Sequence, residues 1–134
     1  MAENGSMYNT PPCYAIYMAG LVYQWLLDQG GLKAMKEKNL AKALLLYNYL
    51  DSQDYYLAPV KAGSRSMMNV TFVTGDAGLD KQFAAAAEKA GLKNLKGHRS
   101  VGGMRASIYN AMPYEGVEKL VAFMKDFAAA NPKT

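Results

Sequence analysis

The feature that most restricts the fold is an unbroken apolar run, CYAIYMAGLVY, at residues 13–23. A membrane-spanning helix needs about 20 apolar residues, so this run, which Gln24 ends, is too short to cross a bilayer. Apolar side chains would lie on nearly every face of a helix built from it, which is typical of a helix buried on several sides. We therefore expect no membrane partner, and we expect this segment to need a large apolar surface to cover it.

Length and composition predict a single globular domain, residues 1–134. The chain is long enough for one hydrophobic core and too short for two ordinary domains. Hydrophobic residues make up 51% and charged residues 19%, which is a globular rather than a disordered composition. The N-terminal MAENGS lacks the basic segment that begins a secretory signal, so we expect no export.

Charge and cysteine content narrow the classes of function. The net charge is only +4 and the lysines are scattered, whereas nucleic-acid-binding surfaces usually cluster their basic residues, so no nucleic-acid partner is expected. The single cysteine excludes an internal disulfide and fits a reducing compartment, which predicts a cytoplasmic location. One cysteine and one histidine are also too few for a zinc site, and we expect no metal.

Two helices are predicted in the first part of the chain. The first starts with Thr10 as its N-cap and a proline in its first turn, runs to about Asp28, and is ended by the glycines at 30–31. The second covers residues 32–50 and has a solvent-facing side that includes Lys42. Its inward stripe is predicted to consist of Leu40, Ala43, Leu44, Tyr47 and Leu50.

The rest of the chain alternates strands with helices. Strands are predicted over residues 67–74 and 104–110, with a short one at 92–95, and helices over 77–90 and 113–129. In the strand at 104–110, Met104, Ala106 and Ile108 face one way and Arg105, Ser107 and Tyr109 the other. The predicted fold class is α+β, with helices covering one face of a small sheet. The other face has no evident cover.

The segment GHRSVGGMRASIYN, residues 97–110, holds the chain's only histidine and two of its arginines. Its G-x-x-x-x-G spacing imitates a nucleotide phosphate loop, but Gly103-Met104 stands where Lys-Ser or Lys-Thr would be needed, which excludes that loop. His98, Arg99 and Arg105 remain, around a flexible Gly-Gly step. Arginine grips carboxylate and phosphate with paired hydrogen bonds. The segment therefore fits an anion site, and it also fits a solvated basic turn.

Arg105 admits two interpretations of its own. It lies near the start of a predicted strand, on the polar face, with core residues on either side. An arginine in that position either pairs with a carboxylate of the protein or receives one from a ligand. The sequence does not separate these alternatives.

The stretch SMYNTPP, residues 6–12, likewise has two interpretations. Asn9 and Thr10 precede a helix, and every helix needs a cap, so the stretch can be a capped start and nothing more. A helix N-terminus beside an amide and a hydroxyl is also suited to an anion, because free N–H groups converge there.

The chain resembles the phosphoserine aminotransferase family, from about Asn4 to Phe127, in the segments SMYNTPP, YAIYMAGLVYQWL, SRSMMNVTF, LKGHRSVGGMRASIYNAMP and EGVEKLVAFMKDF. The GHRSVGGMRASIYNAMP block is specific to that family rather than to aminotransferases generally. The resemblance implies a fold-type I, pyridoxal-phosphate-dependent homodimer. This chain would be its C-terminal small domain, preceded by a long apolar helix. The implied reaction, in serine biosynthesis, exchanges an amino group between glutamate and 3-phosphohydroxypyruvate to give phosphoserine and 2-oxoglutarate.

The resemblance also implies roles for five residues. His98 and Arg99 match residues of the pocket for the substrate's phosphate or side-chain carboxylate. Arg105 matches the arginine that grips the α-carboxylate. Asn9 and Thr10 match the pair that reaches the cofactor phosphate of the neighbouring subunit.

The departure from the family is large, because only its C-terminal third or so is matched. In the family the Schiff-base lysine lies before the Asn-Thr-Pro-Pro segment, and none of the twelve lysines here occupies a matching position. No catalytic residue is therefore assigned, and the chain alone is expected to be inactive and not to bind the cofactor. It is interpreted as a truncated or proteolysed piece, or a broken reading frame. The alternatives are a stand-alone anion-binding module and an assembly module that self-associates through its apolar surface.

Overall fold

The computed structural model describes residues 3, 5 and 7–133, so Asn4 and Ser6 of the family-like segments lie outside the described residues. The chain divides into two compact units, residues 1–36 and 37–134. Four helices and two strands follow in the order α1 (Cys13–Asp28), α2 (Gly31–Asp51), β1 (Asn69–Phe72), α3 (Ala77–Lys89), β2 (Met104–Ser107) and α4 (Tyr114–Ala130). A 3₁₀ turn covers Ala62–Ser64. The predicted α+β class and element order are confirmed.

Helix α1 forms over the apolar run, and none of its residues is buried. Tyr14, Tyr17 and Tyr23 are each more than 60% exposed within this chain, in contrast to the expectation of a helix buried on several sides. The predicted N-cap is wrong as well: Pro12 stands at that position and no side chain caps the helix. No helix in the described part of the chain is both long and apolar enough to cross a bilayer.

Three of the five residues predicted to face inward from helix α2 are buried and two are exposed. Ala43, Leu46, Tyr47 and Leu50 are buried, whereas Leu40 and Leu44 are more than 40% exposed. Lys42, predicted to face solvent, is only 2% exposed. Its ammonium group finds backbone carbonyl partners, which offset the cost of removing a cation from water.

The sheet consists of β1 and β2, paired antiparallel with Thr71 opposite Arg105. Val70, Phe72, Met104 and Ala106 are buried on one face, and the alternating polar side chains lie on the other. The facing predicted for the strand at 104–110 is therefore confirmed. The predicted short strand at 92–95 is wrong. Asn94 has a φ of 61°, which breaks the extended backbone, and only Lys96 forms a bridge, to Met104.

The core lies between the buried face of the sheet and helices α2, α3 and α4. All five residues of α4 that its 3.6-residue period places inward are buried, namely Val117, Leu120, Val121, Met124 and Phe127. Helix α3 contributes Phe83 and Ala87. Asp76 caps its start by accepting hydrogen bonds from two backbone N–H groups, and Gly91, with a φ of 86°, ends it as predicted. The loops that follow α3 and β1 thus start from elements packed on this core.

Candidate functional site

The anion-type loop, residues 97–103, is closed by its own backbone hydrogen bonds. The Gly97 N–H donates to the Gly103 carbonyl at 2.8 Å, where the chain enters and leaves the loop. The carbonyl of His98 accepts from the N–H groups of Val101 and Gly102 at 2.9 and 2.8 Å. Gly102 and Gly103 have φ values of 79° and 63°, in the left-handed region that favours glycine. The Gly-Gly step is therefore a specific turn rather than a flexible spacer.

Close approach of other parts of the chain explains both glycines: the far end of the loop crowds Gly97, and the end of β1 crowds Gly103. A Cβ atom on Gly97 would collide with the carbonyl of Gly102. A Cβ on Gly103 would lie 2.5 Å from Cγ1 of Val73 and 3.0 Å from the carbonyl oxygen of Phe72. At both positions only a glycine leaves room for the backbone atoms of another segment.

We expect Gly97→Ala to lower the free energy of unfolding by about 1–3 kcal/mol, because the added methyl group meets backbone atoms that cannot rotate away. Urea denaturation of the variant and the wild type measures the loss. Gly63→Ala is the matched control, since a Cβ there meets nothing within 4 Å. Equal stability of the two variants would contradict the close packing of the loop.

His98 and Arg99 are exposed at the tip of the closed loop. The Nδ1 atom of His98 lies 2.7 Å from Oγ of Ser100 and accepts a hydrogen bond from the Ser100 N–H at 3.3 Å. Because Nδ1 is an acceptor, a neutral ring carries its proton on Nε2. His98 therefore presents an N–H donor away from the loop, which is what a phosphate or carboxylate oxygen needs.

His98, Arg99 and both glycines of the Gly-Gly step line a cleft of about 680 Å³. Its opposite wall is a face of α3 made of Ala77, Asp80, Lys81, Ala84, Ala85 and Glu88. The carboxylate of Asp80 accepts hydrogen bonds from Thr74, and Glu88 pairs with Lys93. The cations that line the cleft, Lys81, Lys96 and Arg99, make no ion pair with another described residue. The cleft therefore favours an anionic ligand.

Arg105 lies outside the lining of this cleft, two residues beyond the Gly-Gly step on the polar face of β2. It is half-buried, and its Nε atom is buried without a hydrogen-bond partner. No ion pair to Arg105 is formed within the described part of the chain. Arg105 therefore does not pair with a carboxylate of the described chain, which was one of its two interpretations.

Polar groups flank Arg105 on the same face of the sheet. The hydroxyl groups of Ser107 and Tyr109 both donate to Oδ1 of Asn69 on β1, at 3.1 and 3.2 Å. Ser107 follows Arg105 at the two-residue period of β2, and Tyr109, just beyond the end of the strand, reaches the same Asn69. Both side chains therefore lie on the Arg105 side of the sheet. This network occupies its own polar atoms and leaves the guanidinium without a partner.

Asn9 and Thr10 lie in the first compact unit, and the other three candidate residues lie in the second. Both are exposed, next to an α1 N-terminus that no side chain caps. An amide, a hydroxyl and free backbone N–H groups form a donor set that suits a phosphate. The chemistry of this pair therefore fits the phosphate of pyridoxal phosphate.

Sequence reasoning missed three contributors to the cleft beside His98 and Arg99 and to the surroundings of Arg105. These are the α3 wall of the cleft, the acceptor role of Asn69, and the buried Lys42. The first left a signal, because the spacing of Ala77, Lys81, Ala84 and Glu88 marks a second face of α3 with small residues at its centre. The other two depend on contacts between residues distant in sequence.

Comparison with known proteins gives a consistent result. Residues 1–120 match the family model described as aminotransferase class-V. The phosphoserine aminotransferase of Listeria monocytogenes serotype 4b is 59% identical to this chain over 130 residues. That alignment takes in 97% of this chain and 36% of the relative.

Two solved structures are similar in fold as well as in sequence. The phosphoserine aminotransferase of Bacillus circulans subsp. alkalophilus superposes with a TM-score of 0.89 at 48% identity, over 96% of this chain and 36% of that one. A pyridoxal-phosphate-bound phosphoserine aminotransferase from Trichomonas vaginalis gives a TM-score of 0.83 at 42% identity, over 92% and 36%. The chain thus spans about 36% of the length of the relatives that it matches.

Proposed function

The chain belongs to the class-V aminotransferase family, and from that premise we propose that it supplies the substrate-anion contacts of a phosphoserine aminotransferase. The proposed reaction transfers an amino group between glutamate and 3-phosphohydroxypyruvate, giving phosphoserine and 2-oxoglutarate in serine biosynthesis. Each of these substrates and products carries at least two anionic groups. A site for these compounds therefore needs two separate cationic positions, and the chain provides them at His98 with Arg99 and at Arg105.

The observation that carries the proposal is the unpaired guanidinium of Arg105. Its buried Nε has no partner and no carboxylate of the described chain pairs with it. The buried Nε–H of such an arginine loses hydration without compensation, unless a ligand supplies an acceptor. We assign it to the α-carboxylate, and His98 and Arg99 to the phosphate or side-chain carboxylate. The cleft beside those two residues, with its unpaired cations, supports the second assignment.

Asn9 and Thr10 are the residues proposed to hold the phosphate of pyridoxal phosphate in a neighbouring subunit of a homodimer. When bound, the cofactor supplies the electron sink that amino transfer requires. None of the twelve lysines lies before residue 32, so no lysine side chain precedes the Asn-Thr pair within these residues. We propose that the 134 residues alone do not catalyse the transfer, that they act in the cytoplasm, and that their ligands are small anions.

A stand-alone anion-binding module is the second candidate. It is favoured by one observation, namely that His98, Arg99 and the whole lining of their cleft lie within residues 37–134. Such a module would bind a phosphorylated or dicarboxylic ligand without a cofactor.

Calorimetric titration of the chain with phosphoserine, serine and glutamate tests the proposal. We expect phosphoserine and glutamate to bind and serine to bind at least about tenfold more weakly, since serine lacks the second anion and one charge-assisted contact is worth about 1.5–3 kcal/mol. Supplied with pyridoxal phosphate, glutamate and 3-phosphohydroxypyruvate, the same preparation should form no 2-oxoglutarate. Equal affinity for serine and phosphoserine would refute the assignment of His98 and Arg99, and turnover would refute the predicted inactivity.

A further inference from the structure

Lys42 is a buried cation that pairs with no carboxylate among the described residues. Its side chain on α2 is 2% exposed, and Nζ donates to the carbonyl oxygens of Tyr109 and Met112 at 2.7 and 2.9 Å. Burial lowers the pKa of Lys42 below its ordinary value, because desolvation penalises the charged form. A leucine or methionine would fill the same space without that cost. The lysine is therefore explained by the two carbonyl groups that it holds.

Both carbonyl groups belong to the turn between β2 and α4. The turn closes on itself through the Met112 N–H, which donates to the Tyr109 carbonyl at 2.9 Å. One turn earlier on α2, Nδ2 of Asn39 donates to Oδ1 of Asn110 at 2.8 Å. Asn39 is 3% exposed and its partner Asn110 is half-buried, so this second contact is partly buried. Two polar residues on one face of α2 thus hold the same turn at three points.

Tyr109 connects this turn to the polar face of β2. Its carbonyl accepts from Lys42, and its hydroxyl donates to Oδ1 of Asn69, which also accepts from Ser107. Arg105 lies on the same face as Ser107 and Tyr109. Its backbone N–H is fixed on the other side by the Leu95 carbonyl at 2.7 Å. The direction in which β2 presents Arg105 therefore depends on where the end of the strand is held.

We propose that Lys42 is a positioning residue for the anion site: by holding the Tyr109 and Met112 carbonyl groups it fixes the end of β2, and with it the guanidinium of Arg105. The identity of the ligand in this inference rests on the proposed function. The positioning of Arg105 is argued from the hydrogen bonds alone. Lys42 itself does not touch the ligand.

The test uses Lys42→Met, which keeps an unbranched side chain, one atom shorter, and removes the donor. Two readouts are followed: the ¹H–¹⁵N resonance of Arg105 Nε–H, assigned by its loss in Arg105→Lys, and the Kd for phosphoserine. We expect the resonance to move and the Kd to rise at least about fivefold, a change of about 1 kcal/mol in binding free energy. The matched control is Tyr47→Phe. It removes a different hydrogen bond of α2, from the Tyr47 hydroxyl to the Ser66 carbonyl at 3.0 Å.

The control should lower the Tm and leave both readouts as in the wild type. An unmoved resonance and an unchanged Kd in folded Lys42→Met would overturn the proposal, and so would equal changes in Tyr47→Phe. If Lys42→Met does not fold, Asn110→Ala is used instead, because it removes the hydrogen bond from Asn39 to the same turn. A moved resonance with a raised Kd would again support the proposal, and no change in either would overturn it. A moved resonance in a chain that does not bind phosphoserine would support the positioning role and refute the proposed function.

Discussion

Replacing Arg105 with alanine should weaken phosphoserine binding by about 10–100-fold, which corresponds to the 1.5–3 kcal/mol of a charge-assisted contact. The guanidinium is half-buried and partnerless, so a carboxylate that reaches it forms hydrogen bonds at a position already shielded from water. The Tm should not fall, because the substitution removes a buried N–H that nothing in the described chain satisfies. Titration calorimetry and thermal unfolding measure the two effects.

Two variants show whether charge or geometry is responsible. Lys119→Ala removes one cation from an exposed position on α4, and we expect no change in the Kd. Arg105→Lys keeps the charge but loses the planar pair of donors, so its Kd should lie between those of the wild type and Arg105→Ala. If Arg105→Ala binds phosphoserine as the wild type does, Arg105 has no part in an anion site.

Phe83→Ala should lower the free energy of unfolding by about 3–5 kcal/mol, the largest effect on stability that we expect from one substitution. Phe83 is completely buried at the centre of the aromatic cluster. Its ring lies 5.1–5.7 Å from those of its four neighbours, Tyr56, Phe72, Phe123 and Phe127. Each pair is close to edge-to-face, so the substitution removes favourable aromatic contacts in addition to leaving a cavity.

Urea denaturation followed by near-ultraviolet circular dichroism measures this loss. Phe123→Ala is the matched control, because Phe123 belongs to the same cluster but is only partly buried, and its loss should be clearly smaller. A loss below about 1 kcal/mol for Phe83→Ala would mean that the core readily closes the cavity. Since Phe83 lies on α3, ligand binding at the cleft that α3 lines should weaken along with stability.

The elements that sequence predicted best are those whose pattern is local. In α4, five apolar residues repeat at the period of a helix and all five are buried. In β2, strict alternation placed Met104 and Ala106 inward and Arg105 on the polar face, as the structure has them. The Gly-Gly step and its neighbours also marked the loop that carries His98 and Arg99. The candidate residues could therefore be named from sequence alone, together with the resemblance of their segments to one family.

Of three sequence predictions that failed, only one failed because of contacts between distant parts of the chain. Lys42 looks like part of a charged face until carbonyl groups 67 and 70 residues away are seen to receive its ammonium group. Thr10 has the composition of an N-cap, but the two prolines that follow place Pro12 at that position instead. The predicted strand at 92–95 fails because Asn94 adopts a positive φ. Tertiary contacts override the local pattern at Lys42, whereas the N-cap and the strand at 92–95 are decided by the local backbone.

The hydrogen bonds that close residues 97–103 also determine whether the loop loses its conformational entropy during folding or during ligand binding. Glycines such as Gly102 and Gly103 have the widest range of backbone conformations in an unfolded chain, and so lose the most freedom on ordering. The bonds from Gly97 to Gly103 and from Gly102 to His98 lie within the loop itself. The loop is therefore ordered at folding rather than at binding. An anion that reaches His98 and Arg99 meets a backbone already arranged, so the entropic penalty lowers the stability of the fold and leaves the affinity of the site intact.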